Sequence, residues 1–198
     1  MDAQNRKDEI LRAASDCFAR YGYEKTTLDD IGRLVGLNKA SLYHYYKNKE
    51  NIYTEVIYQE ACTYLHGVMI AVKGASGCKA KVLMYLTQRL AFIKNALNLK
   101  QLSIDSMQKI APVFQLMYDR LMEEETQTLA HILQESIENG EVRACDTYRV
   151  AKSILTVAEA IRSRIDCTLS EEGSYATILD EVRYTVSLIL DGIIMAEK

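Results

Sequence analysis

The stretch Thr27-Leu-Asp-Asp-Ile-Gly-Arg-Leu-Val-Gly-Leu-Asn-Lys-Ala-Ser-Leu-Tyr-His-Tyr-Tyr46 decides the fold of the 198-residue chain. It reads as two short helices around a break. The Thr27 hydroxyl can cap the first, and Asp29 and Asp30 suit its positive end. Leu28, Ile31 and the pair Leu34 and Val35 then share one face. Gly36-Leu-Asn38 interrupts the pattern: Gly36 tolerates positive φ, and Asn38 can cap a second helix from Lys39 to about Tyr45. Upstream, Ile10, Leu11, Ala14, Phe18 and Tyr21 recur at three- and four-residue steps, one face of a supporting helix closed by Gly22.

A supporting helix followed by two short helices around a tight turn is the sequence logic of a helix-turn-helix. The second helix of such a unit enters the major groove and needs donors and compact contacts on its outer face. Lys39, Ser41, Tyr43 and His44 are placed there, with Leu42 turned inward. Tyr45, Tyr46, Lys47 and Lys49 follow; tyrosine hydroxyls and lysines suit phosphate oxygens, which position a protein without specifying sequence. Asn48 opens a long fourth helix through Ile52, Val56, Ala61, Leu65 and Val68, and its N-terminal N–H groups form a ready anion site. Packing between helices competes with DNA contact for each tyrosine. Thr27 can act as a cap alone, His44 as a plain surface polar group, and Lys47 as a solvated charge.

The run from Thr27 to Ile52 closely resembles the N-terminal signature of the tetracycline-repressor (TetR) family, roughly T-x-x-x-I-A-x-x-A-G-V-S-x-G-x-L-Y-x-H/Y-F-x-x-K-E-x-L. The resemblance covers about residues 5–55, about a quarter of the chain. It implies an all-α homodimer with a DNA-binding head and a divergent C-terminal body for ligand sensing and dimerisation. Carried over residue by residue, it implies that Thr27 touches phosphate at the start of the second helix. Lys39, Ser41 and His44 become candidates for base edges or nearby backbone, and Tyr43, Tyr45 and Lys49 for phosphate clamps. It implies an aromatic core residue at Tyr46. Gly32 and Val35 replace the family's two usual alanines, Asn38 a serine, and Ala40 a frequent glycine. The added methyl of Ala40 can meet a thymine methyl or hold the helix off the backbone, which leaves base preference open.

The composition fits this reading without requiring it. A formal charge of −3 does not suggest nucleic acid, but residues 1–50 carry nine Lys/Arg against eight Asp/Glu while the remainder is net acidic. A net-acidic protein binds DNA when its positive groups gather at one end. A single proline argues for long helices. The expected organisation is a helix-turn-helix domain over 1–47 and a helical body over 48–198. Beyond a loop at Gly74-Ala-Ser-Gly77, helices are predicted over Lys79–Leu97, Ser103–Ile110, Pro112–Asn139, Thr147–Cys167 and Ser174–Glu197. Pro112 suits a helix N-terminus, Gly140 a helix end, and Ser170-Glu-Glu-Gly173 a connector. No stretch reaches the roughly 18 apolar residues of a membrane span, and the charged N-terminus lacks a signal-peptide segment. No membrane partner is expected, and the cytoplasm is the expected location. Cys17, Cys62, Cys78, Cys145 and Cys167 lie far apart without ligand spacing and read as reduced thiols, Cys17 filling a helix face.

In the body, Ala151, Ile154, Ala158 and Ile161 on one helix, and Val182, Val186 and Ile189 on the last, carry apolar surface suited to a four-helix dimer interface. The competing reading is completion of the monomer core. Tyr64, Tyr85, Phe92, Met107, Phe114, Met117 and Tyr118 are ordinary core residues by type. With the resemblance, some are expected to line an adaptable, largely apolar pocket for a small molecule. Glu123-Glu-Glu125 reads as a solvated face, and no metal or cofactor is assigned. No GxSxG, P-loop, HExxH or dinucleotide-binding glycine pattern is present, so no enzyme is expected. The sequence therefore predicts a regulator bound to double-stranded operator DNA, most simply a repressor released by a ligand. The alternative is a helical protein-interaction adaptor that does not bind DNA.

Overall fold

The computed structural model describes residues 3–95, 103–166 and 171–195. They form α1 (Ala3–Lys25), α2 (Leu28–Leu34), α3 (Lys39–Tyr43), α4 (Lys49–Lys73), α5 (Cys78–Asn95), α6 (Ile104–Glu138), α7 (Thr147–Asp166) and α8 (Glu171–Asp191). The protein is all-α, and among the described residues β pairing is limited to one antiparallel bridge between Val142 and Ile194. No described helix is long and apolar enough to cross a membrane. Leu97, Cys167, the Ser170 end of the expected connector and Glu197 lie outside the described residues.

Caps and turns sit close to where local chemistry places them. Gly22, with φ 78°, kinks α1 instead of ending it, and one further turn runs to Lys25. Asn48 caps α4 by accepting the Asn51 N–H at 2.8 Å. Asp146 does the same for α7 through the Arg149 N–H at 2.9 Å. Helix α8 already begins at Glu171, so Glu171, Glu172 and Gly173 are helical and not part of a connector.

Pro112 corrects the expectation of two separate helices, because it lies inside the unbroken α6. Proline removes one hydrogen bond, to the carbonyl four residues back, and crowds that carbonyl. Both Pro112 and Gln108 are exposed, so water can reach the freed carbonyl. Ile110 and Met117, one on each side, remain buried and hold the helical register across the proline.

The chain divides into two compact units. The first comprises residues 1–63 and 96–120, the second residues 64–95 and 121–198. In the first, Ile10, Ala14, Phe18, Ile31, Leu42 and Ile52 are almost fully buried and bring α1 to α4 together. Phe18 meets Tyr53 edge-on at 5.1 Å between ring centroids, and Tyr23 packs on Tyr53 at 4.7 Å. The core of the second unit includes Val82, Leu86, Leu129, Leu133, Ile154, Leu155, Val182 and Leu190.

Candidate nucleic-acid interface

Helix α2 begins with a reciprocal cap. The Thr27 hydroxyl and N–H donate to Asp30 Oδ2 at 2.6 and 3.0 Å, while the Asp30 N–H donates to Thr27 Oγ1 at 3.2 Å. These hydrogen bonds hold the half-buried Asp30 carboxyl below the usual carboxylate range. Thr27 is itself exposed, so its outer surface stays available while its hydroxyl orders the helix.

The turn between α2 and α3 explains one departure from the family pattern. The Leu37 N–H donates to the Gly32 carbonyl at 2.8 Å, and the Val35 N–H reaches the same oxygen at 3.2 Å. A Cβ on Gly32 would lie 2.4 Å from the Leu37 carbonyl oxygen, far inside van der Waals contact. Glycine at 32 thus permits this close chain crossing, and Gly36 supplies the left-handed residue, φ 66°. Arg6 of α1 donates to the Val35 carbonyl at 2.8 Å and fixes the turn from outside.

Asn38 then caps α3 by accepting the Ser41 N–H at 2.8 Å. Only Leu42 of this helix is buried. Lys39, Ala40, Tyr43 and His44 are exposed, with Tyr43 at 49%, and Ser41 is half-buried. Tyr45 and Tyr46 are half-buried, and burial pushes the Tyr46 hydroxyl well above its ordinary pKa. Lys47 is exposed. Lys39, Ala40 and Tyr43 of α3, with His44 at its C-terminal cap, are thus left open on the side away from Leu42.

Lys49 departs from expectation. Its ammonium donates to the carbonyls of Tyr23 at 2.9 Å and Thr26 at 3.0 Å and lies 4.1 Å from the Tyr23 ring centroid. Burial lowers its pKa. The Tyr23 hydroxyl in turn donates to Glu50 at 2.9 Å. Lys49 fastens the end of α1 to the start of α4, so its ammonium serves the chain's own backbone. The carbonyls after the Gly22 kink have lost their helical partners, which is why a donor is needed there.

Residues 10–56 match the family model described as bacterial regulatory proteins, tetR family. Over this segment the chain is similar to that family. The head is 49% identical over 51 residues to the biofilm-operon negative transcriptional regulator IcaR of Staphylococcus epidermidis, spanning 26% of this chain and 28% of that protein. It is 36% identical over 59 residues to the transcriptional repressor AcnR of Corynebacterium jeikeium, spanning 30% and 31%. The likeness thus covers less than a third of these curated relatives. At the level of fold it extends further. A transcriptional regulator from Cytophaga hutchinsonii superposes with TM-score 0.72 at 24% identity, over 95% of this chain and 98% of that one. A TetR-family regulator from Pectobacterium atrosepticum gives 0.64 at 15% identity over both whole chains. The segment similar to the tetR family thus lies in a chain that shares the fold of these solved structures.

Outside the segment 10–56, the expected pocket residues fall in both units. Tyr64, Tyr85 and Phe92 belong to the second, with the Tyr64 and Phe92 rings 4.9 Å apart and Tyr85 buried. Phe114, Met117 and Tyr118 belong to the first, as does Met107, whose side chain lies outside the described ones. The expected dimer residues line the core of the second unit. Ala151, Ile154, Ala158, Val182 and Val186 are at most 1% exposed within the single chain, and Ile161 and Ile189 pack against the same core. They join α7 to α8 of one molecule. The outer face of α8 instead exposes Tyr184 at 66% and Leu188 at 57%.

Sequence reasoning also missed Glu125. Glu123 and Glu124 are exposed, but Glu125 is buried and meets Arg89 at 2.8 Å. The available signal was helical phase: Met122, Glu125 and Leu129 follow one inner stripe of α6. No group of three or more His, Cys, Asp or Glu among the described residues could hold a metal.

Proposed function

We propose that this protein is a transcriptional repressor whose head binds operator DNA and whose body responds to a small molecule. The observation that carries the reading is α3: Leu42 anchors it while Lys39, Ala40, Tyr43 and His44 face outward beyond an ordered turn. A helix held at one side and open at the other can enter a major groove, with Lys39, Ser41 and His44 toward base edges. Thr27, Tyr43 and Tyr45 suit the flanking phosphates. In this reading residues 1–47 are the DNA-binding domain and 48–198 the sensing and dimerisation domain of a cytoplasmic homodimer with no catalytic role. The names of IcaR and AcnR, both negative regulators, support repression.

A dimer follows from the length of the reading helix, since five residues reach too few bases for selective binding. Two heads fit successive major grooves when they stand roughly 34–36 Å apart. Tyr184 and Leu188, one turn apart on α8, supply exposed apolar surface for the partner. A ligand relieves repression only by binding the DNA-incompetent arrangement better than the competent one.

The test is selection of bound duplexes from a random pool, repeated with and without a cell metabolite extract. Enrichment of a two-fold symmetric site, lost with extract, is the expected result. No enrichment at low ionic strength would refute DNA binding, and extract-independent enrichment would refute ligand control.

A further inference from the structure

A cleft of about 350 Å³ opens between α1 and α2 of the first unit, inside the range of roughly 300–1,000 Å³ common for small-molecule sites. Its lips are apolar side chains left open: Tyr21 of α1 is 51% exposed and Leu34 of α2 is 63% exposed. Helical spacing groups Tyr21 with Phe18 and Leu34 with Ile31, yet Phe18 and Ile31 are buried and these two are not. Cys17 lines the interior and is almost fully buried. Burial, then the charges of Asp30 and Asp16, raise its pKa, so the thiol there is neutral.

The rim is basic. Arg20, Lys25 and Arg33 line the cleft against Asp16 and Asp30. Asp30 is already engaged. Its Oδ2 accepts from both the N–H and the hydroxyl of Thr27, and its Oδ1 lies 3.9 Å from the Arg33 guanidinium, at the outer edge of an ion pair. Among the described residues, no carboxylate comes within ion-pair distance of Arg20 or Lys25. The Arg20 guanidinium stands 6.0 Å from the centroid of the Tyr21 ring, which keeps one cation at an apolar lip.

Charge and shape together select the occupant. A cationic guest would meet three like charges, and a neutral one would gain nothing from them. A DNA backbone would supply negative charge but leave Tyr21 and Leu34 uncovered. One anionic group on a compact apolar body answers both features. A guanidinium fork matches a carboxylate through paired hydrogen bonds, and the apolar body covers the two open lips.

We infer that this cleft is a binding site for a small organic acid, one carboxylate borne on a compact apolar body. The site lies wholly in the first unit. It is separate from the ligand response proposed for the body and does not depend on that reading.

The test is an amide NMR titration of the full chain with three bodies of like shape: β-naphthoate, β-naphthylmethanol and β-naphthylmethylammonium. Saturable shifts at Tyr21, Arg33 and Leu34 are expected with the acid. It should bind about fivefold more tightly than the alcohol, with the cation weakest. Arg20→Gln combined with Arg33→Gln should bring the acid down to the level of the alcohol. Both side chains are exposed, so this variant should fold; if it does not, Lys25→Gln, expected to weaken the acid alone, takes its place. Equal binding of acid and alcohol, preference for the cation, shifts confined to residues outside the cleft, or no saturable binding at millimolar concentration overturns the inference. So does an acid affinity that survives these substitutions. DNA binding is measured in parallel. Cleft variants that lower its salt slope while the acid fails to bind would give the cations to the DNA backbone and overturn the site. Acid binding in a chain that ignores every duplex upholds the site and sinks only the operator reading.

Discussion

The Lys49 ammonium sits over the ring of Tyr23, 4.1 Å from its centroid, and also donates to that residue's carbonyl. Together with the bond to Thr26, this closes the three-helix head from behind, opposite in purpose to a charge offered to DNA. A lysine at the start of α4 can thus serve the protein's own backbone.

Lys49→Met keeps most of the apolar stem but leaves two carbonyls without their donor. Thermal unfolding should show a loss of about 1–2 kcal/mol, modest because the site is only half-buried. The salt dependence of DNA binding should keep its slope. A slope lower by about one would return Lys49 to the phosphates.

Gly32→Ala forces a methyl group onto the Leu37 carbonyl oxygen. That neighbour is backbone and cannot rotate away, so the turn must open. Urea unfolding should register a loss of about 1–3 kcal/mol, the usual range for overpacking. Retention on duplex DNA should fall more than stability does, since α3 changes its aim. Wild-type stability in the alanine variant would show that the crossing is looser than described.

The exposed face of α3 separates two kinds of contact. Tyr43→Phe should weaken binding similarly for all sequences, and Lys39→Ala should narrow discrimination at one base position. His44→Ala should likewise act at one position, adjacent to that of Lys39. None should shift the melting temperature, because these side chains touch little of the protein. Binding measured against a panel of singly altered operators distinguishes the patterns; uniform loss for His44→Ala would reassign it to phosphate.

Acid should loosen the head through its caps. Asp30 is held below the usual carboxylate range by the Thr27 hydroxyl, and Glu24 by the hydroxyls of Ser106 and Ser103. Both folded pKa values are depressed. The stability they contribute is therefore present above the unfolded carboxylate value near ~4 and lost as pH falls through the folded value. The urea midpoint should fall as pH is lowered from about 6 to about 2, and Asp30→Asn should flatten part of that fall. Thr27→Ala should cost about 1 kcal/mol at neutral pH. An Asp30→Asn curve parallel to wild type would remove the cap from the account.

Core and partner surfaces on α7 and α8 should respond differently. Ile154→Ala, at a fully buried position, should lower stability by about 3 kcal/mol without changing the sedimentation coefficient. Tyr184→Glu combined with Leu188→Glu should leave folding intact and yield monomers. Dimers persisting at micromolar concentration would move the interface away from this face.

The head was legible because residues of strong local meaning mark its boundaries: Thr27, Gly36, Asn38 and Asn48 each do structurally what their chemistry suggests. Leu42 inward and Tyr43 outward followed from helical phase alone. Lys49 was not legible, since nothing local reveals that two carbonyls converge on it from another helix. Glu125 was hidden inside a run of three acids, where composition suggests solvent and only phase separates it from Glu123 and Glu124. Pro112 misled for a related reason: proline lowers the odds of a helix locally, but burial of Ile110 and Met117 outweighs one missing hydrogen bond. Ala151 and Val182 are apolar enough for either a core or a partner, and only folding of α7 on α8 decides between them.

The short bridge between Val142 and Ile194 has a practical side. The Arg143 N–H donates to the Ile193 carbonyl and the Met195 N–H to the Glu141 carbonyl, each at 2.9 Å. These two bonds clasp the tail of α8 to the corner joining α6 and α7. Trimming the chain back to Gly192 removes Ile193 and Met195, undoes the clasp and frees the last turn of α8 to fray.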